Sequence, residues 1–390
     1  MNHWNSQRYL ASGRSQKRAA NVLANAASTA ELIRTAAPGA ALLFTLNHLA
    51  RETGVPYHYL RNVTERGGLN SNTFYRVFSL KKHNSGFRGK RTRTICAPEP
   101  LLMKKQRWIH EHILTKGCPH SASSAYRPGS RIRDAAEQHR NARWLVKMDG
   151  INLFESILEP KVYKVLRSYG YQPLMAFELT RLCTRIRKGG PKRHKVNDTA
   201  RIGRYSSGSL GHLPQGAPSS PLLANLAAFD LDCELNSLAT SNGMVYTRYA
   251  DDIVLSSSAE EWSKSKAVTL LKQGHDILKA HGFQPNLAKA TIAGPGGRKL
   301  VLGLSVSGAE PRLTRDFKNK LRAHIHYLQK YPSQGIPPHE KLKFDSRLGL
   351  QRHVFGLAYY AIGIERAWGA ARLAELKALP WPVEHGISFV

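Results

Sequence analysis

Apolar positions recur along this chain at two different periods, and the changes of period divide it. Leu42, Leu43, Leu46 and Leu49 follow helical spacing; Gly54-Val55-Pro56 then breaks the pattern before Tyr59 and Leu60 resume it. This predicts two short helices over 40–65, either a helix-turn-helix or, the reading we favour, packing for the next segment of the chain. From Tyr75 the period drops to two: Tyr75, Val77 and Ser79 alternate with Arg76, Phe78 and Leu80, and Arg93-Thr94-Ile95 comes after a basic Gly-containing turn. A strand–loop–strand hairpin results, its loop carrying Lys81, Lys82, Arg88, Lys90 and Arg91. A helix is expected from about Pro100 to Leu114. Residues 1–30, rich in Ala, Asn and Ser with scattered Arg, read as a loosely attached basic helix. Arg181 to Arg204 is basic around Gly189-Gly190-Pro191 and predicts a solvated loop, touching nucleic acid or free of it. The segment from about Arg312 reads as helical and basic, and no internal repeat is visible.

Composition narrows the partners. Hydrophobic residues make up 42% of the 390, enough for a sizeable core, so wholesale disorder is excluded. The 58 Lys and Arg outnumber the 27 Asp and Glu by 31, and a folded chain so charged repels itself without a polyanionic partner. A membrane is the competing reading. No apolar run approaches the roughly 20 residues of a spanning helix, and the polar, basic Met1-Asn2-His3-Trp4 start lacks a signal-peptide apolar region. Cys96, Cys118, Cys183 and Cys233 lie far apart without metal-ligand spacing. The expectation is a cytoplasmic, reduced, nucleic-acid-facing protein.

Three segments carry candidate chemistry. Trp144-Leu145-Val146-Lys147-Met148-Asp149 is an apolar strand ending in an acid. Leu213-Pro214-Gln215-Gly216-Ala217-Pro218-Ser219-Ser220-Pro221 leads into a helix, with Ser220 as cap, Pro221 in the first turn, and Leu222, Leu223, Leu226 and Phe229 on an apolar face. Met244 to Leu255 reads as a β-hairpin with Asp251 and Asp252 at its tip. Like charges a few ångströms apart raise one another's pKa unless a cation lies between them. Asp149 beside them would compound the cost, and hard divalent cations with oxygen ligands resolve it. Two Mg²⁺ in such a site serve in-line phosphoryl transfer. Side chains alternate along a strand, so Asp251 and Asp252 should diverge, with Asp149 and Asp251 as principal ligands and Asp252 subsidiary. A lone Tyr-x-Asp-Asp is also what a solvated turn looks like. The Gln-Gly-Ala-Pro loop and the upstream strand Asp, in this order, favour the catalytic reading. His324 and His326, two apart on a helix, diverge and make a poor metal pair.

From about Tyr75 to Ser307 the chain resembles reverse transcriptases of the bacterial retron and group II intron lineage. Six blocks stand in order: Arg93 to Pro98 (fingers), Asp149 to Ile157 (first catalytic block), Leu213 to Pro221, Tyr249 to Asp252, Asn286 to Lys289, and Val301 to Leu304 (primer grip). The resemblance implies an α+β right-hand polymerase: a basic helical extension over 1–65, fingers and palm over 66–311 and a helical thumb over 312–390. Fingers would span about 66–143, and the palm about 144–311 with interleaved fingers segments. It implies RNA-directed DNA synthesis from dNTPs with two Mg²⁺ held by Asp149, Gly150, Asp251 and Asp252. Phe154 would be the steric gate against a ribose 2′-hydroxyl, Gln215 would face nucleotide and template, Lys82 and Arg93 would hold the triphosphate, and Lys289 would lie near the leaving phosphates. Core packing, loop hydrogen bonding and solvation are the plain alternatives for these side chains. Arg312, Arg315, Lys318 and Arg322 would grip RNA.

Retron enzymes carry Asn-Ala-x-x-His before the first catalytic Asp and Val-Thr-Gly after the acidic pair. Here Ala135-Ala136-Glu137-Gln138-His139 and Val301-Leu302-Gly303 stand in those places. A retron enzyme would copy a cognate structured non-coding RNA into RNA-linked single-stranded DNA, pass through an RNA–DNA hybrid and serve anti-phage defence with an effector or toxin partner. The alternatives are another defence-associated reverse transcriptase with its own RNA, a group II intron-like enzyme, and a basic RNA-binding protein on a dead polymerase fold.

Overall fold

Capping and helix-breaking residues cut the N-terminal region into four helices. The segment expected as one helix becomes α1 (Ser6–Ser15) and α2 (Ala20–Ala36), with Lys17 in the left-handed region between them. α3 (Leu46–Thr53) starts at Thr45, whose side chain accepts from the His48 amide, and stops at left-handed Gly54 before α4 (Tyr57–Glu65). Leu46, Leu49, Leu60 and Val63 enter the same hydrophobic core as the central sheet. The α3–α4 pair therefore serves as packing for the rest of the chain, and residue 65 does not separate two cores. The structure is a computed structural model describing residues 4–66, 74–81, 92–187, 210–333, 337–379 and 381.

The period-two segment forms an antiparallel hairpin, β1 (Tyr75–Lys81) and β2 (Thr92–Pro98), with Tyr75 opposite Pro98 and Lys81 opposite Thr92. Its loop, including Lys82, lies outside the described residues. α5 (Pro100–His112) and α6 (Ile132–Glu137) come next in the chain.

β3 (Trp144–Ile151) is buried along nearly its whole length, as its apolar run requires of a central strand. Among the described residues it is succeeded by α7 (Leu153–Ser156), α8 (Glu159–Ser168), α9 (Pro173–Cys183) and α10 (Ser220–Ala227). Pro221 opens α10 as expected, but Ser219 holds the cap position and no side chain caps the helix. Leu222, Leu223 and Leu226 are buried, whereas Phe229 begins α11 (Phe229–Ser241) and is exposed. The basic stretch also divides: Arg181 and Arg185 are buried, and 188–209 lie outside the described residues.

β4 (Val245–Tyr249) and β5 (Asp252–Ser257) form the predicted hairpin. α12 (Lys264–Ala280), β6 (Gln284–Pro285) and β7 (Thr291–Ala293) complete an antiparallel sheet in the order β4-β5-β3-β6, with β7 also pairing β3. α11 packs on β4 and α12 on β3, so helices cover the sheet. A small sheet of β8 (Leu300–Val301), β9 (Leu304–Ser305) and β10 (Arg312–Leu313) leads to α13 (Arg315–Ser333), α14 (Pro338–Lys341), α15 (Arg347–Ile364) and α16 (Arg366–Lys377). Leu321, Ile325 and Leu328 of α13 pack with Leu350, Val354 and Leu376 in a separate C-terminal core. The α+β class with an antiparallel central sheet and a helical C-terminal part is as the resemblance implied. Arg312, however, sits on a strand, and the helix starts three residues later. Among the described residues no helix is long and apolar enough to cross a membrane.

Candidate active site

Antiparallel pairing places Asp149 of β3 directly opposite Asp252 of β5. Directly opposed residues share one sheet face, with Cβ atoms about 5 Å apart. Asp251 lies in the turn between β4 and β5, where Ala250 adopts φ 57. The Gly150 amide donates to the Asp251 carbonyl at 3.4 Å, and the Asn286 amide donates to the Asp149 carbonyl at 2.7 Å. The three carboxylates are thus fastened to one edge of the sheet by backbone bonds, and the Asn286–Lys289 turn is docked on it.

Asp149 is buried, 3% exposed. Its Oδ2 accepts from Lys289 Nζ, while Oδ1 is buried without a hydrogen-bond partner. Burial pushes its carboxyl above the usual range; the Lys289 bond opposes this, and the Asp251 charge adds to it. Asp252 is also raised, by burial first, against the attraction of Lys147. Among the described residues no three His, Cys, Asp or Glu side chains close into a preformed metal cage. The set nevertheless fits a hard divalent cation: its donors are carboxylate oxygens, one of them orphaned, and they destabilise one another's charge. At Gly150, buried opposite Pro285, an added Cβ would meet only open space, which leaves room beside Asp149.

The other predicted residues approach from several elements. Asn152, at φ 52, starts the short α7 that carries half-buried Phe154. Gln215 is tied to the fingers hairpin because its carbonyl accepts from the Cys96 amide at 2.7 Å. Gly216 permits this approach: its φ is 113, and an added Cβ would stand 2.9 Å from Ile95 Cγ2. Arg93 is exposed on β2. Arg312, Arg315 and Arg322 are exposed at the C-terminal part. Lys318 differs: it is half-buried, paired with Glu365 at 2.6 Å and set 5.4 Å from the Trp368 ring, so it braces the helices internally. Of the two discounted histidines, His324 faces His353 and Phe344, and His326 faces Tyr327.

Sequence reasoning passed over the scaffold under the hairpin. Arg248 is fully buried and donates to both Asp232 oxygens at 2.6 and 2.7 Å, and to Asn225 Oδ1, Ser123 Oγ and the Ala250 carbonyl, each at 3.1 Å. The last bond holds the residue just before Asp251. Its signal was an Arg inside an otherwise apolar strand, which demands a buried partner. His139, kept from the retron-like motif, is also buried; its ring nitrogens meet Ser256 Oγ at 2.7 Å and Thr247 Oγ1 at 2.6 Å. It clamps both strands of the hairpin from the α6 side.

The chain was compared with known proteins. The family described as reverse transcriptase (RNA-dependent DNA polymerase) matches residues 80–344. The retron Ec86 reverse transcriptase of Escherichia coli is 32% identical over 254 residues, covering 65% of this chain and 70% of the relative. The retron Mx162 reverse transcriptase of Myxococcus xanthus is 29% identical over 363 residues, covering 89% and 69%. A solved telomerase from Candida albicans, in complex with a fragment of telomeric RNA, aligns over 78% of this chain and 62% of its own at 11% identity, with a TM-score of 0.40. With the acidic edge of the sheet in place and retron enzymes matched across most of its length, the chain belongs to the reverse transcriptase (RNA-dependent DNA polymerase) family and is of the bacterial retron type.

Proposed function

We propose that this RNA-directed DNA polymerase copies a cognate structured non-coding RNA into single-stranded DNA that stays linked to RNA, as part of an anti-phage system with an effector protein. The charge of +31 and the retron relatives support an RNA partner. The observation that carries the polymerase chemistry is the in-register pair Asp149–Asp252 with Asp251 at the adjoining turn. These residues, with Gly150, would hold two Mg²⁺, which when bound activate the primer hydroxyl and neutralise phosphate charge.

The chain's own residues do the rest. The hairpin and β3 keep the carboxylates at fixed separation, so little reorganisation is needed when substrate arrives. Lys289, held at Asp149, is placed to deliver a proton or a positive charge to the departing pyrophosphate. Phe154 closes the pocket beneath the sugar and excludes a 2′-hydroxyl. Gln215 faces the nucleotide and template from a loop tied to β2, where Arg93 draws in the triphosphate; Lys82 belongs to the same set. Arg312, Arg315 and Arg322 offer phosphate contacts to the RNA.

The test is to sequence nucleic acid that copurifies with wild-type and Asp149→Asn protein. The proposal expects one structured RNA with both, and RNA-linked DNA copied from it with the wild type alone. A random RNA population, or linked DNA carried equally by the variant, would overturn it.

A further inference from the structure

The segment from Pro119 to Ser130 contributes nothing to the acidic edge, yet it runs alongside the catalytic hairpin. The Arg248 amide donates to the Ala122 carbonyl and the Ser124 amide to the Arg248 carbonyl, both at 2.9 Å, so Ser123 makes a single parallel bridge to Arg248 of β4. Asn225, itself bonded to Arg248, donates from Nδ2 to the Ala125 carbonyl at 2.7 Å. Ser130 Oγ donates to the Ser124 carbonyl, and Arg127 Nη2 donates to the Pro119 carbonyl at 2.8 Å. Both flanks of Tyr126 are thereby pinned.

Tyr126 itself has φ 60, an unfavourable conformation for an aromatic residue that persists only where its surroundings impose it. Its ring lies 6.2 Å from that of Phe154, tilted by 48°, within the range of favourable aromatic pairs. Burial first, and then the Asp251 charge, push its phenol above the usual tyrosine range. It meets Phe154 and stays 39% exposed. Phe154 belongs to the four-residue α7 and packs against the main core on one side, with the Tyr126 ring as its aromatic neighbour on another.

We propose that Tyr126 is a positioning residue for sugar discrimination: its ring braces Phe154 and so fixes how sharply the pocket separates deoxyribonucleoside from ribonucleoside triphosphates. The inference rests on the reading of Phe154 as the steric gate. Tyr126 acts through Phe154 and needs no contact with the sugar.

Single-nucleotide incorporation, measured as kcat/KM for a dNTP and its matched rNTP on one template–primer, tests this in wild type, Tyr126→Ala, Tyr126→Phe, Phe154→Ala and the Tyr126→Ala/Phe154→Ala pair. Selectivity is a ratio, so it is unaffected by the folded fraction. Tyr126→Ala should lower selectivity about three- to tenfold, the scale of one aromatic pair. Tyr126→Phe should keep it within about twofold, because the ring and not the hydroxyl is required. In the Phe154→Ala background Tyr126→Ala should change it no further, since the two act as a unit. Wild-type selectivity in Tyr126→Ala beside relaxed selectivity in Phe154→Ala would overturn the proposal and leave the gate standing. Equal loss in both backgrounds would overturn it by making Tyr126 an independent contact. Unchanged selectivity in Phe154→Ala would remove the gate reading and this one with it.

Discussion

Two buried aspartates near the same hairpin are treated in opposite ways. Asp232 of α11 is fully buried, and its oxygens receive Tyr246 Oη at 2.6 Å and two Arg248 nitrogens at 2.6 and 2.7 Å. Asp149 of β3 is nearly as buried, yet it has one Lys289 contact and one oxygen with no partner. A buried charge is costly unless paired and hydrogen-bonded. Asp232 is therefore part of the scaffold, and Asp149 is left incomplete for something the folded chain does not itself supply. The satisfied cluster lies under the hairpin and bonds to its turn, so one Asp holds in place the edge on which the other stays unfulfilled.

Breaking the incomplete site should give the largest effect on rate with little cost in stability. Asp149→Asn or Asp251→Asn should cut dNTP incorporation by about three orders of magnitude or more, since charge stabilisation by a held metal is worth several kcal/mol. The melting temperature of Asp149→Asn should stay level or rise, because a strained buried charge is removed. Equal extension rates for variant and wild type at saturating Mg²⁺ would contradict the assignment.

The complete site should respond the other way. Asp232→Asn leaves Arg248 as an uncompensated buried cation and should cost about 3–5 kcal/mol in denaturant unfolding. A variant as stable as wild type would mean the network is dispensable.

The hairpin clamp provides a pH-dependent comparison. Burial pushes His139 and His212 down to about 4, below the usual His value of about 6.5. Between these values the unfolded chain binds protons that the native chain refuses, so stability falls as pH falls through that window. His139→Gln should flatten the dependence there by up to about 1.4 kcal/mol per pH unit, one proton's worth. An unchanged slope in urea unfolding between those pH values would exclude His139 as a contributor.

At the C-terminal part the contrast is between exposed cations, of which Arg322 lies 5.8 Å from the Trp368 ring, and Lys318, held in an ion pair, and its effect is the smallest. Arg315→Gln with Arg322→Gln should lower the slope of log affinity against log salt for RNA by up to about 1.4–1.8, at 0.7–0.9 per phosphate contact. Lys318→Gln should instead reduce thermal stability and barely move the slope, since Lys318 is bound to Glu365. A salt slope set by Lys318 alone would reverse that assignment.

The strands and acids were legible because their pattern is local. An apolar run ending in Asp149, and an acidic pair between two short apolar strands, can be read with no knowledge of partners. The contents of the scaffold were not, since Arg248 is satisfied by Asp232, Asn225 and Ser123, which lie on other elements. Composition likewise made Lys318 and Arg181 look like members of basic surfaces, but each is engaged by distant groups: Glu365 for one, the Thr64 carbonyl for the other. The left-handed conformations of Tyr126 and Ala250 leave no mark either, because neither is a residue type that announces it. His139 stood out in the motif comparison, but only the fold shows that it bridges two strands.

The central claim is that Asp149 and Asp251 complete themselves with divalent cations. Its most direct test is a Mn²⁺ titration, read by electron paramagnetic resonance, of wild-type and Asp251→Asn protein on an annealed template–primer with a non-hydrolysable dNTP analogue. Wild type should bind Mn²⁺ that Mg²⁺ displaces, and Asp251→Asn should bind it at least about tenfold more weakly, as loss of a direct ligand requires. Superimposable isotherms for the two proteins would contradict the claim.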